Sequence, residues 1–117
     1  MRAAVRFVYS ADVDVEAYVP EDPENDGVWI RLIVGPADGP GEESFDVLVC
    51  TPLWLRDVVA KEGPQVGRHH LVVDPFDLAV AKDFLRLQVE SIEAADWPTL
   101  GGKLARVGYW EFEDYQP

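Results

Sequence analysis

Phe45-Asp46-Val47-Leu48-Val49-Cys50-Thr51-Pro52-Leu53-Trp54-Leu55 changes its hydrophobic period halfway along. In the first half Phe45, Val47 and Val49 fall on one side and Asp46, Leu48 and Cys50 on the other, the two-residue repeat of a β-strand. At Thr51-Pro52 that repeat stops. Threonine is a good helix N-cap, and proline at the first helical position gives up no hydrogen bond, because that N–H has no partner within the helix. Trp54, Leu55, Val58 and Val59 then recur at helical spacing, and Gly63-Pro64 ends the run. A strand over 43–50 therefore runs directly into a helix.

Upstream the signals are those of strands. Residues 1–9 alternate, with Val5, Phe7 and Tyr9 assigned to one face and Arg6 to the other. In 28–34 Val28, Ile30, Leu32 and Val34 share a buried face, with Trp29 and Arg31 on the other side. Gly35-Pro36-Ala37-Asp38-Gly39-Pro40-Gly41 is a loop, so this strand and the next form a hairpin. Between the first two strands, residues 12–26 carry Pro20 and Pro23 and read as an irregular connection.

Downstream the signals become helical. A short buried strand is expected from His70 to Val73. Asp74-Pro75 repeats the cap-plus-proline start and opens a long helix to about Glu93. Its core stripe is read as Phe76, Val80, Phe84 and Leu87, with Arg86 and Glu90 forming an i,i+4 ion pair on the wet face. Asp96 caps a shorter helix through Leu104, with Trp97, Leu100 and Leu104 inward. Residues 109–114 alternate as a last strand, with Trp110 and Phe112 inward and Glu111 and Glu113 outward. The order is β-β-β-α-β-α-α-β over one domain, 1–117. Strands before helices indicate an α+β fold, a largely antiparallel sheet with two to three helices on one face.

Composition bounds the function. With 48% apolar residues the 117-residue chain builds a core. No apolar run spans a bilayer and no secretory signal is visible, so the expected compartment is the cytoplasm. Twenty-two acidic against ten basic residues give a formal net charge of −12. Such a field repels nucleic-acid phosphates and anionic membranes and attracts a basic partner. The plain alternative is charge for solubility alone. The negative charge is concentrated: residues 12–26 hold seven acidic side chains, Asp22, Glu24 and Asp26 among them, and no basic one.

No side chain is placed for catalysis. His69 and His70, the only histidines, are adjacent on a loop-to-strand junction, where neighbours point to opposite faces, and no third histidine completes a metal site. Cys50, the only cysteine, stands at a strand-to-helix junction where a helix N-terminus favours a thiolate, but no histidine is near it in sequence. Ser10, Ser44 and Ser91 lack a nucleophile-elbow setting. The glycine-rich loop lacks the lysine of a phosphate cradle, and the acidic segment lacks calcium-loop spacing. No cofactor is implied. Candidate contact residues are instead Asp22, Glu24 and Asp26, the outward Trp29 beside Arg31, and a C-terminal patch of Glu111, Glu113, Asp114 and Tyr115 with no lysine or arginine nearby in sequence. Trp and Tyr beside charge are common anchors of protein interfaces.

The stretch from Phe45 to Leu55, the Trp97…Lys103-Leu104 helix and Trp110-Glu111-Phe112-Glu113-Asp114-Tyr115 together resemble the immunity protein 8 family of bacterial polymorphic-toxin systems. Ile33-Val34-Gly35-Pro36 and Gly67-Arg68-His69-His70-Leu71 extend the resemblance, which runs from about Val28 onward without the acidic N-terminal segment. It implies a non-enzymatic cytoplasmic inhibitor that binds and neutralises a cognate protein toxin. The net charge adds the expectation that this toxin has a basic surface, and the chain itself is expected to be a monomer or weak homodimer. A basic nuclease is one such toxin, since a nuclease site must hold phosphates. The resemblance supplies no contact residues. Two other readings stay open. A deep pocket with two converging carboxylates would mark a small enzyme, and a large apolar patch covered only by a second copy would mark a self-associating module. A toxin gene immediately upstream would favour the immunity reading over both.

Overall fold

A computed structural model of the chain describes residues 1–113. Its elements are β1 (Ala3–Tyr9), β2 (Gly27–Pro36), β3 (Glu43–Cys50), α1 (Pro52–Glu62), β4 (His70–Val72), α2 (Leu78–Glu90), α3 (Trp97–Leu104) and β5 (Tyr109–Trp110). The order is the one expected, and the fold is α+β. Strands β1, β2 and β3 pair antiparallel in sequence order. The far edge of β3 is shared. β4 runs parallel beside Leu48–Cys50, and β5 runs antiparallel beside Phe45 and Asp46.

Val28, Ile30, Leu32 and Val34 from β2 and Phe45, Val47 and Val49 from β3 are all buried, as their alternation requires. With Leu78, Ala81, Leu85 and Val89 of α2 and Leu100 and Leu104 of α3 they make one core on one side of the sheet. The caps work as read at two helices. Thr51 Oγ1 accepts from Trp54 N–H at the head of α1, and Asp96 accepts from Thr99 N–H at 2.9 Å at the head of α3. That hydrogen bond holds the Asp96 carboxyl below its usual range. Gly63, with φ +87°, closes α1 in a conformation that costs an L side chain strain.

α1 lies on the other side of the sheet. Gly27 points to that side, and a Cβ there would fall 2.3 Å from the Trp54 ring. The residue is glycine because the indole packs directly on its backbone.

Three local expectations are corrected. In β1 the register slips between Val5 and Phe7, so Arg6 is a bulge. Its guanidinium reaches the carbonyls of Pro36 and Gly39, at 2.9 and 2.7 Å. The extra residue reverses the alternation, and Phe7 and Tyr9 leave the Val5 side for the exposed face. α2 begins at Leu78, capped by Asp77, and not at Pro75. The later start goes with a different inward face: Phe76 is buried ahead of the helix, while Val80, Phe84 and Leu87 are exposed. The Arg86–Glu90 pair does not form, because Glu90 turns inward and accepts the Val5 N–H at 3.1 Å on the outer edge of β1. With the Arg2–Glu93 ion pair and the Met1–Ala94 contacts, it covers an edge that would otherwise recruit foreign strands. Finally, β5 ends at Trp110. The chain turns through 111–113, so Trp110 stacks on Phe45 while Phe112 is exposed and meets Trp110 edge-on at 6.0 Å.

Candidate functional site

The sheet face opposite the core is only partly covered by α1. The uncovered part carries a continuous band of aromatic and charged side chains. Phe7 and Tyr9 of β1 stand together, with ring centroids 6.2 Å apart. Tyr9 Oη lies 3.5 Å from Arg31 Nη1, and Arg31 donates two hydrogen bonds to Asp46, at 2.6 and 2.9 Å. Asp46 is paired in register with Tyr109, whose ring meets Trp29 at 5.9 Å. Beyond Tyr109 the Arg68 guanidinium lies 5.8 Å from its ring and pairs with Glu113. Trp29 is 42% exposed at the centre of this band, above the buried Leu48 to which it is paired in register.

Electrostatics fix the character of the band. The bidentate hydrogen bonds to Asp46, then the bond to Tyr9, raise the pKa of Arg31, so this guanidinium stays charged and already engaged. Beside it, Tyr9, Ser10, Asp12, Trp29, Arg31 and Asp46 line a shallow cleft of about 200 Å³. That is below the volume of a usual small-molecule site, about 300–1,000 Å³. It suits one protruding side chain, and with Arg31 neutralised by Asp46 the charge left in it is the Asp12 carboxylate.

The acidic segment packs at one end of the sheet. Asp26 accepts from the Tyr18 hydroxyl and from its own following N–H, that of Gly27, at 2.8 Å, while its backbone N–H donates to Thr51 Oγ1. Burial, then the Asp26 hydrogen bond and the charges of Asp26 and Glu21, push the Tyr18 hydroxyl up to about 12. Asp26 therefore holds the loop to the sheet. Asp22 and Glu24 are exposed, with Asp22 Oδ1 accepting the Glu24 N–H at 3.0 Å in a local turn. The segment is also tied to the α2 region, through Lys82–Glu16 at 2.5 Å, Phe76 N–H to the Pro23 carbonyl at 2.7 Å and the Tyr18–Phe76 ring contact.

The C-terminal patch is less free than expected. Glu111 accepts the Ser44 N–H at 2.8 Å, and Arg68, distant in sequence, neutralises Glu113. Substituting both by lysine would thus remove two contacts of the fold as well as two charges. Asp114 and Tyr115 lie outside the described residues. Of the expected contact residues, Trp29 and Glu113 are brought to one band through Tyr109 and Arg68. Asp22, Glu24 and Asp26 stand apart from it. Phe7, Tyr9, Arg68 and Tyr109 were not among the expected residues. Only Tyr109, on the Glu111 side of the alternating C-terminal run, carried a signal in the sequence.

The candidates for chemistry are occupied otherwise. His69 is buried, its Nε2 donating to the Ala105 carbonyl, while its Nδ1 has no hydrogen-bond partner among the described residues. His70 is half-buried, paired with Leu48 on the other side of the strand. Neither histidine is exposed. Cys50 is fully buried, and burial pushes its thiol up to about 11, away from the thiolate a nucleophile needs. Among the described residues no three His, Cys, Asp or Glu side chains group as metal ligands, and no helix is long and apolar enough to cross a membrane.

A mixed sheet with helices packed over one face and an aromatic, charge-bordered band on the other defines a small α+β protein with an open sheet surface. The chain belongs to the Immunity protein 8 family, whose sequence profile matches residues 3–115. The match begins in β1 and so includes the acidic segment, which the resemblance had left out. No curated protein matches the chain, and no solved structure does.

Proposed function

We propose that this protein is the antidote of a toxin–immunity pair. It binds a toxin that bears a basic surface, in the cytoplasm, and covers the surface through which that toxin acts, with no chemistry of its own. The observation that carries this reading, beside the family, is the exposed aromatic band centred on Trp29 in a chain of net charge −12. Half-exposed Trp and Tyr rings on a rigid sheet supply contact area at little entropic cost. A cationic side chain of the toxin enters the cleft beside Trp29 and Tyr9, where the ring faces and Asp12 favour it. Glu111 and Glu113, followed in the chain by Asp114 and Tyr115, border the contact, and Asp26 keeps the acidic loop in place. The test is co-expression with a candidate toxin taken from a gene neighbouring this one. Growth is expected to be restored and a complex recovered; a folded protein that neither protects nor binds would end the proposal.

Asp22 and Glu24 have a distinct role. They are exposed and removed from the aromatic band, so they steer approach more than they hold the complex. Asp22→Asn with Glu24→Gln is expected to lower the association rate several-fold at low salt and flatten its salt dependence, with the dissociation rate nearly unchanged. Asp26 is left intact in this variant because of its structural bonds. Stopped-flow mixing at several ionic strengths reads the effect, and an unchanged rate at low salt would remove the segment from the encounter.

A further inference from the structure

Helix α2 has two apolar faces, and the fold uses only one. Leu78, Ala81, Leu85 and Val89 enter the core. Val80, Phe84 and Leu87, at i, i+4 and i+7 on nearly the opposite side, are 58%, 48% and 70% exposed. Soluble monomers rarely leave a contiguous apolar stripe in water. Two exposed charges border it on one flank, Asp83 and Arg86, and neither is in an ion pair among the described residues. The carboxylate that would have paired with Arg86, Glu90, is turned inward to Val5.

We propose that this face packs against the same face of a second copy, with the two α2 helices antiparallel across a twofold axis near Phe84. A twofold interface must be complementary to itself, and this stripe is. Reversing the helix sets Val80 opposite Leu87 of the other copy and brings the two Phe84 rings together. On the shared flank the same operation sets Asp83 beside the other Arg86 and Arg86 beside the other Asp83, which makes two ion pairs across the axis. A basic toxin is a poorer occupant, because the charges that border the stripe on this flank are one Asp and one Arg, which together leave it neutral. α2 packs on the core side of the sheet, and the aromatic band lies on the other. The dimer therefore leaves both bands facing outward, each open to its own partner. One helix pair buries less than a standard interface of about 1,600 Å², so association is weak and concentration-dependent.

Sedimentation velocity on the purified full chain, over about a hundredfold range of concentration, tests this without any toxin. The wild-type protein is expected to shift from monomer toward dimer. Leu87→Glu is expected to weaken association at least about tenfold. Arg86→Asp is expected to weaken it as well, and adding Asp83→Arg to that variant is expected to restore it. The substituted side chains are all exposed, and the restoring pair distinguishes loss of contact from loss of fold. A wild-type protein that sediments as a monomer throughout, Leu87→Glu dimerising undiminished, or a charge swap that fails to restore association would each overturn the proposal.

Discussion

Leu85→Ala is expected to lower the unfolding free energy by about 2–5 kcal/mol, while Phe84→Ala, one position earlier, is expected to change it by less than about 1 kcal/mol. Leu85 is 3% exposed and belongs to the core cluster shared by the sheet, α2 and α3. Removing its isobutyl group loses the transfer free energy of the buried carbons and leaves a cavity that packed neighbours close only in part. Phe84 is the larger side chain, and a size-based estimate would rank it as the more costly loss. Its ring is 48% exposed, so truncation opens no cavity in the core. Urea unfolding of the two variants reads the difference as a shift in midpoint at constant slope. Equal losses would mean that α2 is rotated from the orientation described.

That pair also marks where the sequence stops being informative. β2 and β3 were legible because a strand has only two faces, and Val28-Ile30-Leu32-Val34 and Phe45-Val47-Val49 each fill one with apolar residues. α2 was not, because it has two apolar stripes, and helical periodicity alone does not say which one meets the sheet. The sheet decides. It takes the face carrying Ala81, whose small side chain is fully buried, and leaves the bulkier Phe84 outside. β1 failed for a related reason. Nothing in Ala3-Ala4-Val5-Arg6-Phe7-Val8-Tyr9 announces a bulge. It coincides with hydrogen bonds from Arg6 to two carbonyls in and just after the end of β2, Pro36 and Gly39, some thirty residues away in the chain.

The contact surface divides the same way. Trp29 was legible as an outward tryptophan because it shares parity with Arg31 and opposes Ile30. Its neighbours were not, because strand order is absent from local pattern. Tyr109 reaches Trp29 only because β5 docks beside β3, and Arg68 reaches Glu113 only because β4 and β5 share that edge. The expectation of an unneutralised C-terminal carboxylate patch failed on this point, since a cation distant in sequence is near in space.

Trp29→Ala is expected to weaken toxin binding by at least about 2 kcal/mol, roughly thirtyfold in dissociation constant, with the melting temperature lowered only slightly. The ring is half-exposed, so its removal leaves most of the core untouched. In a complex the same ring would be fully desolvated against Tyr109 and the partner, where interface energy concentrates. Tyr109→Phe is the control. It keeps the aromatic surface and removes only the hydroxyl that donates to the Arg68 carbonyl at 2.7 Å. Its binding defect should be a small fraction of that of Trp29→Ala if ring area sets the affinity. Asp12→Asn then asks whether the cleft takes a cation: the loss should be modest and should vanish at high salt, because an exposed carboxylate acts through a screened field. These variants divide the reading into separable parts. Trp29→Ala binding like wild type would move the interface off the sheet face while leaving the immunity function intact. A full Trp29 effect with no effect of Asp12→Asn would keep the face and reject the cationic occupant of the cleft.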